Sequence, residues 1–278
     1  MRFFKPSSLP ELFLTMENFE GEKYFLAGGT DLNIQKKKNL LQDRPVFYIN
    51  HLTELKGIRE LHEDILIGSL TSFREILDSQ LLNRKLPFLQ NSLAYFASPL
   101  LQTMATVGGN IANASPTADI LPLLLVLDAR VKLLSKSKFR ELPISEFYLG
   151  YKQTILKSNE IIGGIIIPKT AETGFQTYYR KVGSRKALTI AKLAFAGLKK
   201  TEQNNIKIVK IAVGALNEFP RRLRKLEELI TGKYTEDLKS DELRKILESE
   251  ITPITDLRSD SDYRFEVTLN LLLEFLEE

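Results

Sequence analysis

The sequence predicts an α+β protein built in two parts. From Lys23 to Pro168, short strand-like runs are interspersed with helix-patterned stretches. From Phe175 onward, three strand-like runs are followed by three helix-like ones, the pattern of a sheet layered with helices. Composition changes at Pro168-Lys169-Thr170, which places a boundary running to about Gly174.

Ser8 to Phe19 opens the chain as a short amphipathic helix. Ser8 can cap it, Pro10 suits its first turn, and Leu9, Leu12, Phe13 and Met16 share a face. Lys23 to Ala27 reads as a strand that runs through Gly28-Gly29-Thr30-Asp31 into a helix from Leu32 to Leu40. Pro45 to Asn50 is a further strand. Ile58 to Leu61 and Ile65 to Gly68 read as a hairpin, and Thr71 as the cap of a helix from Phe73 to Leu77. A helix is expected over Leu86 to Phe96, stopped by Ser98-Pro99. A glycine-rich loop comes next, then a buried helix from Asp119 to Leu127. Val131 to Leu134, Phe139 to Leu142 and Ile161 to Ile167 are strands. The second part has strands at Phe175 to Val182, Lys192 to Thr201 and Ile206 to Val213, with a possible helical start over Ala187 to Phe195. Helices are expected at Pro220 to Ile230, Thr235 to Glu250 and Tyr263 to Leu276.

Composition narrows the chemistry. A chain that is 43% hydrophobic and 27% charged has an ordinary globular balance. No apolar run reaches the roughly 18 residues of a membrane span. The N-terminus lacks a secretory apolar core, so the expected location is the cytoplasm. The absence of cysteine rules out thiolate catalysis and cysteine-held metal clusters, and two histidines, His51 and His62, make a histidine metal site improbable. Net charge is +4, with the basic residues scattered apart from Lys36-Lys37-Lys38 and Arg221-Arg222-Leu223-Arg224-Lys225; nothing shows the interleaved aromatics of a nucleic-acid surface.

Two glycine turns stand out: Gly28-Gly29, and Gly108-Gly109 within the polar stretch Thr106 to Asp119. Glycine lets a ligand approach the backbone, and successive free N–H groups can cradle an anion. Together the turns could form both walls of a dinucleotide site. Asp119, Ser115 and Thr117 could hold ribityl or ribose hydroxyls, Phe96 offers a flat face, and Lys181 and Arg185 offer positive charge. Four of these have a plainer reading: Asp119 as a helix cap, Phe96 as core, Lys181 and Arg185 as solvated. Neither the G-x-G-x-x-G fingerprint of nicotinamide-binding folds nor a Walker phosphate loop occurs.

Ala27-Gly28-Gly29-Thr30-Asp31-Leu32 and Ala105 to Asp119 together resemble the FAD-binding medium subunit of molybdenum hydroxylases, a family that includes carbon monoxide dehydrogenase and xanthine dehydrogenase. The likeness runs over essentially the whole chain. Ile65-Leu66-Ile67-Gly68-Ser69-Leu70-Thr71 resembles the family's "IGALT" segment, and Tyr148 to Thr154, Glu160-Ile161-Ile162, Lys181 to Arg185 and Val213-Gly214-Ala215 resemble its later landmarks. The resemblance implies an FAD-binding domain of the p-cresol methylhydroxylase type over residues 1–170, made of two α+β subdomains divided near residue 55. It implies a C-terminal α+β domain over 174–278, with a three-stranded sheet and a helix bundle. It also implies site roles. Phe25, Leu26, Ala27, Gly28, Gly29, Thr30, Asp31 and Leu32 would wrap the pyrophosphate. Thr106, Gly108, Gly109 and Asn110 would form the second loop. Asp119 would hold a polar part of the cofactor, Phe96 and Ile162 would lie near the flavin ring, and Lys181 would reach it from the C-terminal domain.

The family implies non-covalent FAD here. Partner subunits would carry the rest: a molybdenum cofactor on a large subunit and 2Fe–2S clusters on a small one, in a dimer of heterotrimers. Electrons would pass from the clusters through FAD to NAD, a quinone or another acceptor. No acid–base residue for substrate is expected on this chain. Two other readings are a stand-alone FAD-dependent oxidoreductase of the same fold, and a non-catalytic basic binding module that uses the glycines as turns.

Overall fold

The computed structural model describes residues 1–185 and 188–278. Its first layer is a small parallel sheet of β1 (Phe3–Phe4), β2 (Tyr24–Leu26) and β3 (Val46–Tyr48), in the order β1-β3-β2. The connections carry α1 (Leu9–Glu17) and α2 (Leu32–Lys37), as parallel strands require a crossover. Ser8 Oγ accepts the Glu11 N–H at 3.4 Å, so the expected cap is in place, and α1 buries Leu12, Phe13 and Met16. They pack in one cluster with Phe47, whose ring lies 5.2 Å from Phe4 and 5.9 Å from Phe25.

The second layer is an antiparallel sheet with a helical cover. The chain runs through β4 (Ile58–Glu60) and β5 (Asp64–Gly68), then six helices: α3 (Phe73–Leu77), α4 (Gln80–Lys85), α5 (Pro87–Ser92), α6 (Pro99–Met104), α7 (Val107–Ala112) and α8 (Ile120–Val126). β6 (Arg130–Leu134), β7 (Phe139–Pro143), a small ribbon of β8 (Tyr148–Gly150) and β9 (Gln153–Thr154), and β10 (Ile161–Pro168) follow. The sheet order is β4-β5-β10-β6-β7. Ile65, Ile67, Val131, Leu133, Ile165 and Ile167 alternate onto the face that packs with α8, which is buried throughout.

Three expectations are corrected here. The helix expected over Leu86 to Phe96 ends at Ser92. Ser98-Pro99 starts a helix instead of stopping one: Ser98 Oγ accepts the Leu101 N–H at 3.3 Å, and proline at the first helical position loses no hydrogen bond. The cap of α3 is Ser72, not Thr71. Ser72 and Glu75 form a reciprocal capping box, while Thr71 Oγ1 donates to the Gly57 carbonyl at 3.1 Å.

The C-terminal part is an antiparallel sheet of β11 (Gln176–Val182), β12 (Leu193–Glu202), β13 (Asn205–Gly214) and β14 (Arg221–Arg222), with α9 (Arg224–Ile230), α10 (Ser240–Glu250) and α11 (Ser261–Glu277). The three expected strands gain a fourth, because Arg221 and Arg222 pair with Val213 and Ala212 before α9 begins. Thr235 opens a single 3-10 turn, and α10 starts only at Ser240. Ala187 lies outside the described residues; from Leu188 the chain reaches β12 without a helix. Helices cover both faces of this sheet. Phe195, Ile211 and Val213 point to the α9–α11 side, while Ala196, Leu198 and Ala212 belong to the core that contains α8. Small alanines let α8 come close, so the N-terminal part supplies one cover of the C-terminal sheet.

Charged groups fasten this seam. Arg222 Nη1 donates to the Leu125 carbonyl at 3.2 Å and to Asp128 at 2.8 Å, while its other nitrogens hold buried Glu227. Glu172, on the connection between the parts, is buried and accepts the Phe88 N–H at 3.0 Å. Burial pushes its carboxyl up to about 7, against the opposing pull of the α5 backbone N–H groups. A raised pKa favours the folded state while the group is protonated. This contribution is therefore complete below pH 4.5, the carboxyl's ordinary value, and is lost as pH rises through about 7. Glu172→Gln keeps an acceptor for Phe88 and removes the charge. It is expected to raise stability at pH 8 by up to about 3 kcal/mol and to leave stability at pH 4 unchanged. Urea unfolding of both proteins at the two pH values measures this.

Candidate functional site

The two glycine segments meet. Gly28 follows β2, and a Cβ built on it would lie 1.6 Å from the Met104 carbonyl oxygen at the end of α6. The backbone of the first turn thus rests on the backbone that leads into α7. Gly29 takes φ +71°, the left-handed region, in the turn from β2 into α2. The N–H groups of Ala27, Gly28, Gly29, Thr30, Asp31 and Leu32 have no hydrogen-bond partner among the described residues. The Asp31 carboxylate does not cap α2; it accepts from the Gln35 side chain. A row of unbonded N–H groups around a left-handed turn can form an anion-binding concavity.

The second segment differs from its expected form as a loop. Thr106 caps α7, which contains Gly108, Gly109 and Asn110. The N–H groups at the start of α7 are already bonded: Val107 donates to the Thr71 carbonyl at 3.0 Å, Gly108 to that of Ser69 at 2.8 Å, and Gly109 to Thr106 Oγ1 at 3.2 Å. Free amides are expected at both turns, and among the described residues the first has them while those at the start of α7 are bonded. The two glycines also differ. A Cβ on Gly108 would lie 2.6 Å from Ser69 Cβ and 2.7 Å from its carbonyl oxygen, so protein packing forbids it. On exposed Gly109 a Cβ would meet only Thr106 Oγ1, at 2.9 Å. The true loop begins at Asn113. In it Ser115 and Thr117 pair through their hydroxyls at 3.1 Å.

Asp119 does not cap α8. It is buried, and its Oδ2 accepts Lys181 Nζ at 2.5 Å across the seam between the two parts. Burial raises its carboxyl pKa, and the Lys181 ammonium opposes the rise. Tyr179 Oη donates to the Asp119 carbonyl at 3.2 Å from the same strand as Lys181. Among the described residues Asp119 Oδ1 has no partner, and neither have Asn110 Oδ1 and Ser69 Oγ, all buried atoms. Unpartnered buried polar atoms are costly; Asn110 lies on α7, Ser69 packs on its Gly108 and Asp119 precedes α8, so each is open to a bond from a ligand.

The remaining candidates are more dispersed. Phe96 is half-buried, one face stacked on Phe73 at 3.9 Å between centroids. Ile162 is buried in the main core beside the bulge that displaces Gly163 from the β10–β6 ladder. Phe25 packs its ring against the first core, and Leu26 is half-buried in β2. Arg185 is exposed and donates to the Leu188 carbonyl at 2.7 Å. His62 is exposed, and His51 Nε2 lies 2.7 Å from the Pro6 carbonyl. Sequence reasoning missed Ser69 and Met104, whose parts depend on contacts with distant glycines. It also missed the Ser72 cap, for which S-x-x-E was a legible signal.

These residues fit FAD. Its diphosphate suits the row of amides, and its hydroxyls and ring imide suit the unpartnered oxygens. Comparison with known proteins agrees. Residues 1–170 match the model of the FAD binding domain in molybdopterin dehydrogenase, and residues 178–278 match that of the CO dehydrogenase flavoprotein C-terminal domain. The chain is 29% identical to the glyceraldehyde dehydrogenase medium chain of Sulfolobus acidocaldarius, over 99% of this chain and 97% of that one. It is 29% identical to the carbon monoxide dehydrogenase medium chain of Hydrogenophaga pseudoflava, over 93% and 90%. Its fold matches that in reconstituted CO dehydrogenase from Oligotropha carboxidovorans with a TM-score of 0.91 at 24% identity, covering 100% of this chain and 96% of that one. With its two matched domains in sequence and the two glycine segments joined into one cradle, the chain belongs to the FAD-binding subunits of the molybdenum hydroxylase family.

Proposed function

We propose that this chain is the electron-relay subunit of a molybdenum hydroxylase. It would stand between 2Fe–2S clusters on a small partner subunit and a final acceptor, which is NAD, a quinone or another carrier. Substrate oxidation would take place at a molybdenum centre on a large partner subunit, in a dimer of heterotrimers in the cytoplasm. The observation that carries this reading is the row of unbonded amides at Gly28-Gly29, set against the corner between α6 and α7. FAD, when bound, supplies the redox chemistry that a chain without cysteine cannot hold in clusters of its own. The names of relatives, medium chains of carbon monoxide and glyceraldehyde dehydrogenases, support partner subunits for this chain too.

The chain's residues divide the binding work. Phe25 to Leu32 form the wall that takes the diphosphate on its amides. Thr106 and Gly108 fix α7 in place, and Gly109 and Asn110 present the second wall. Ser115, Thr117 and Asp119 meet hydroxyl or imide groups, Phe96 and Ile162 border the ring system, and Lys181 holds the Asp119 carboxylate from the C-terminal part. None of these side chains is assigned a proton-transfer role toward substrate.

Purification of the native complex tests the proposal. This chain is expected to carry flavin absorbance and to copurify with a molybdenum-containing large subunit and a cysteine-rich small subunit. A colourless chain that FAD does not reconstitute sinks the reading. The glycines give a sharper test. Gly109→Val is expected to weaken FAD binding about tenfold or more and to cost the apo chain no more than the Thr106 cap that its Cβ would crowd, about 0.5–2 kcal/mol. Gly108→Ala is expected to destabilise the apo chain itself by about 1–3 kcal/mol, because its methyl group would overlap Ser69. FAD titration and thermal unfolding of the two variants separate these effects.

A further inference from the structure

Ser69 leaves β5 at the point where three elements touch. Its N–H donates to the Gly163 carbonyl at 3.1 Å, at the bulge in β10, and its own carbonyl accepts the Gly108 N–H at 2.8 Å. Both of its backbone groups are thereby fixed. The side chain is 3% exposed, packed against the face of Gly108 where no Cβ fits. Its hydroxyl has no partner among the described residues. A hydroxyl held in this way adds nothing to the fold. Burying a polar group without a bond costs free energy that alanine, the residue at this place in the "IGALT" pattern, would not cost. Asn110 Oδ1, two residues beyond Gly108, is buried and unpartnered as well. Ser69 packs on Gly108 and Asn110 follows it in α7, so both unmet atoms belong to the second wall of the cradle.

We propose that the Ser69 hydroxyl is a further FAD-binding group, donating a hydrogen bond to an acceptor oxygen or nitrogen of the cofactor beside Gly108. This rests on the FAD reading above and extends it to a residue in the strand layer, outside both glycine segments. The hydroxyl would gain its only bond on cofactor binding, so its effect belongs to the bound state and not to the apo fold.

The test compares the full 278-residue chain with its Ser69→Ala variant, each stripped of flavin. FAD affinity is read by titration with flavin fluorescence, and apo stability by thermal unfolding. The variant is expected to bind FAD roughly fivefold to thirtyfold more weakly, the worth of one buried hydrogen bond. Its apo midpoint is expected to be unchanged or raised, since no protein bond is lost. Equal affinity in the two proteins, as would follow if the hydroxyl only held a water, overturns the proposal. A parallel loss of apo stability and affinity also overturns it, because it would make Ser69 a structural residue. A wild-type chain that binds no FAD overturns the underlying reading as well, which equal affinity would leave standing.

Discussion

The contact between Gly28 and the Met104 carbonyl is the constraint on which the site depends. No side chain fits there, since even a Cβ would lie 1.6 Å from the oxygen. Main chain meets main chain, and the connection continues inward. Phe73 donates to the Ala105 carbonyl at 3.1 Å, Val107 to that of Thr71, Gly108 to that of Ser69, and Ser69 to that of Gly163. An unbroken series of backbone contacts thus joins the parallel sheet of the first layer to the central strand of the second. A cradle held this way loses little freedom when a ligand enters, which is how preorganisation improves affinity.

The two glycine pairs look alike in sequence and differ in kind. Gly28 and Gly108 are needed by the protein, each because another backbone lies where a side chain would stand. Gly29 is needed for its left-handed φ. Gly109 meets neither constraint: it sits in a helix, is exposed, and would strike only a threonine hydroxyl. Glycine in a helix costs roughly 1 kcal/mol relative to alanine. The Thr106 hydroxyl that a Cβ would strike is the cap of α7, so the glycine also leaves room for that bond.

Much of this was legible in the sequence, and the failures have physical causes. The α1 cap, the β4–β5 hairpin and the three long C-terminal strands follow from local chemistry, and local chemistry is what a sequence displays. Ser98-Pro99 was ambiguous, because serine and proline suit a helix start as well as a stop. The Gly108-Gly109 stretch read as loop because glycine disfavours helix. The Thr106 cap and bonds to Ser69 and Thr71 outweigh that preference. β14 exists only through its pairing with β13, which no local pattern reveals. Which glycine turn keeps its amides free is likewise a question of distant partners, which no local pattern displays.

The free groups give the cradle a direction. At Ala27 to Leu32 it offers only donors, the unbonded amides. At Asp119 it offers an acceptor, Oδ1, whose companion oxygen is held by Lys181 at 2.5 Å. The Lys181 ammonium and the Asp119 carboxylate offset each other, so the pair adds little net charge at that end. Its hydrogen-bonding character is what remains to act on a ligand. A ligand with an anionic group at the first turn and an O–H or N–H donor at Asp119 is complementary to this arrangement. A dinucleotide whose central diphosphate lay on the first turn could extend either half toward the seam, and Asp119 Oδ1 favours the half that presents an O–H or N–H donor to it. The same pair joins β11 to the start of α8, so the end of the site that receives those donors is built by both parts of the chain. Holding the two parts together and orienting the ligand are thus one structural task.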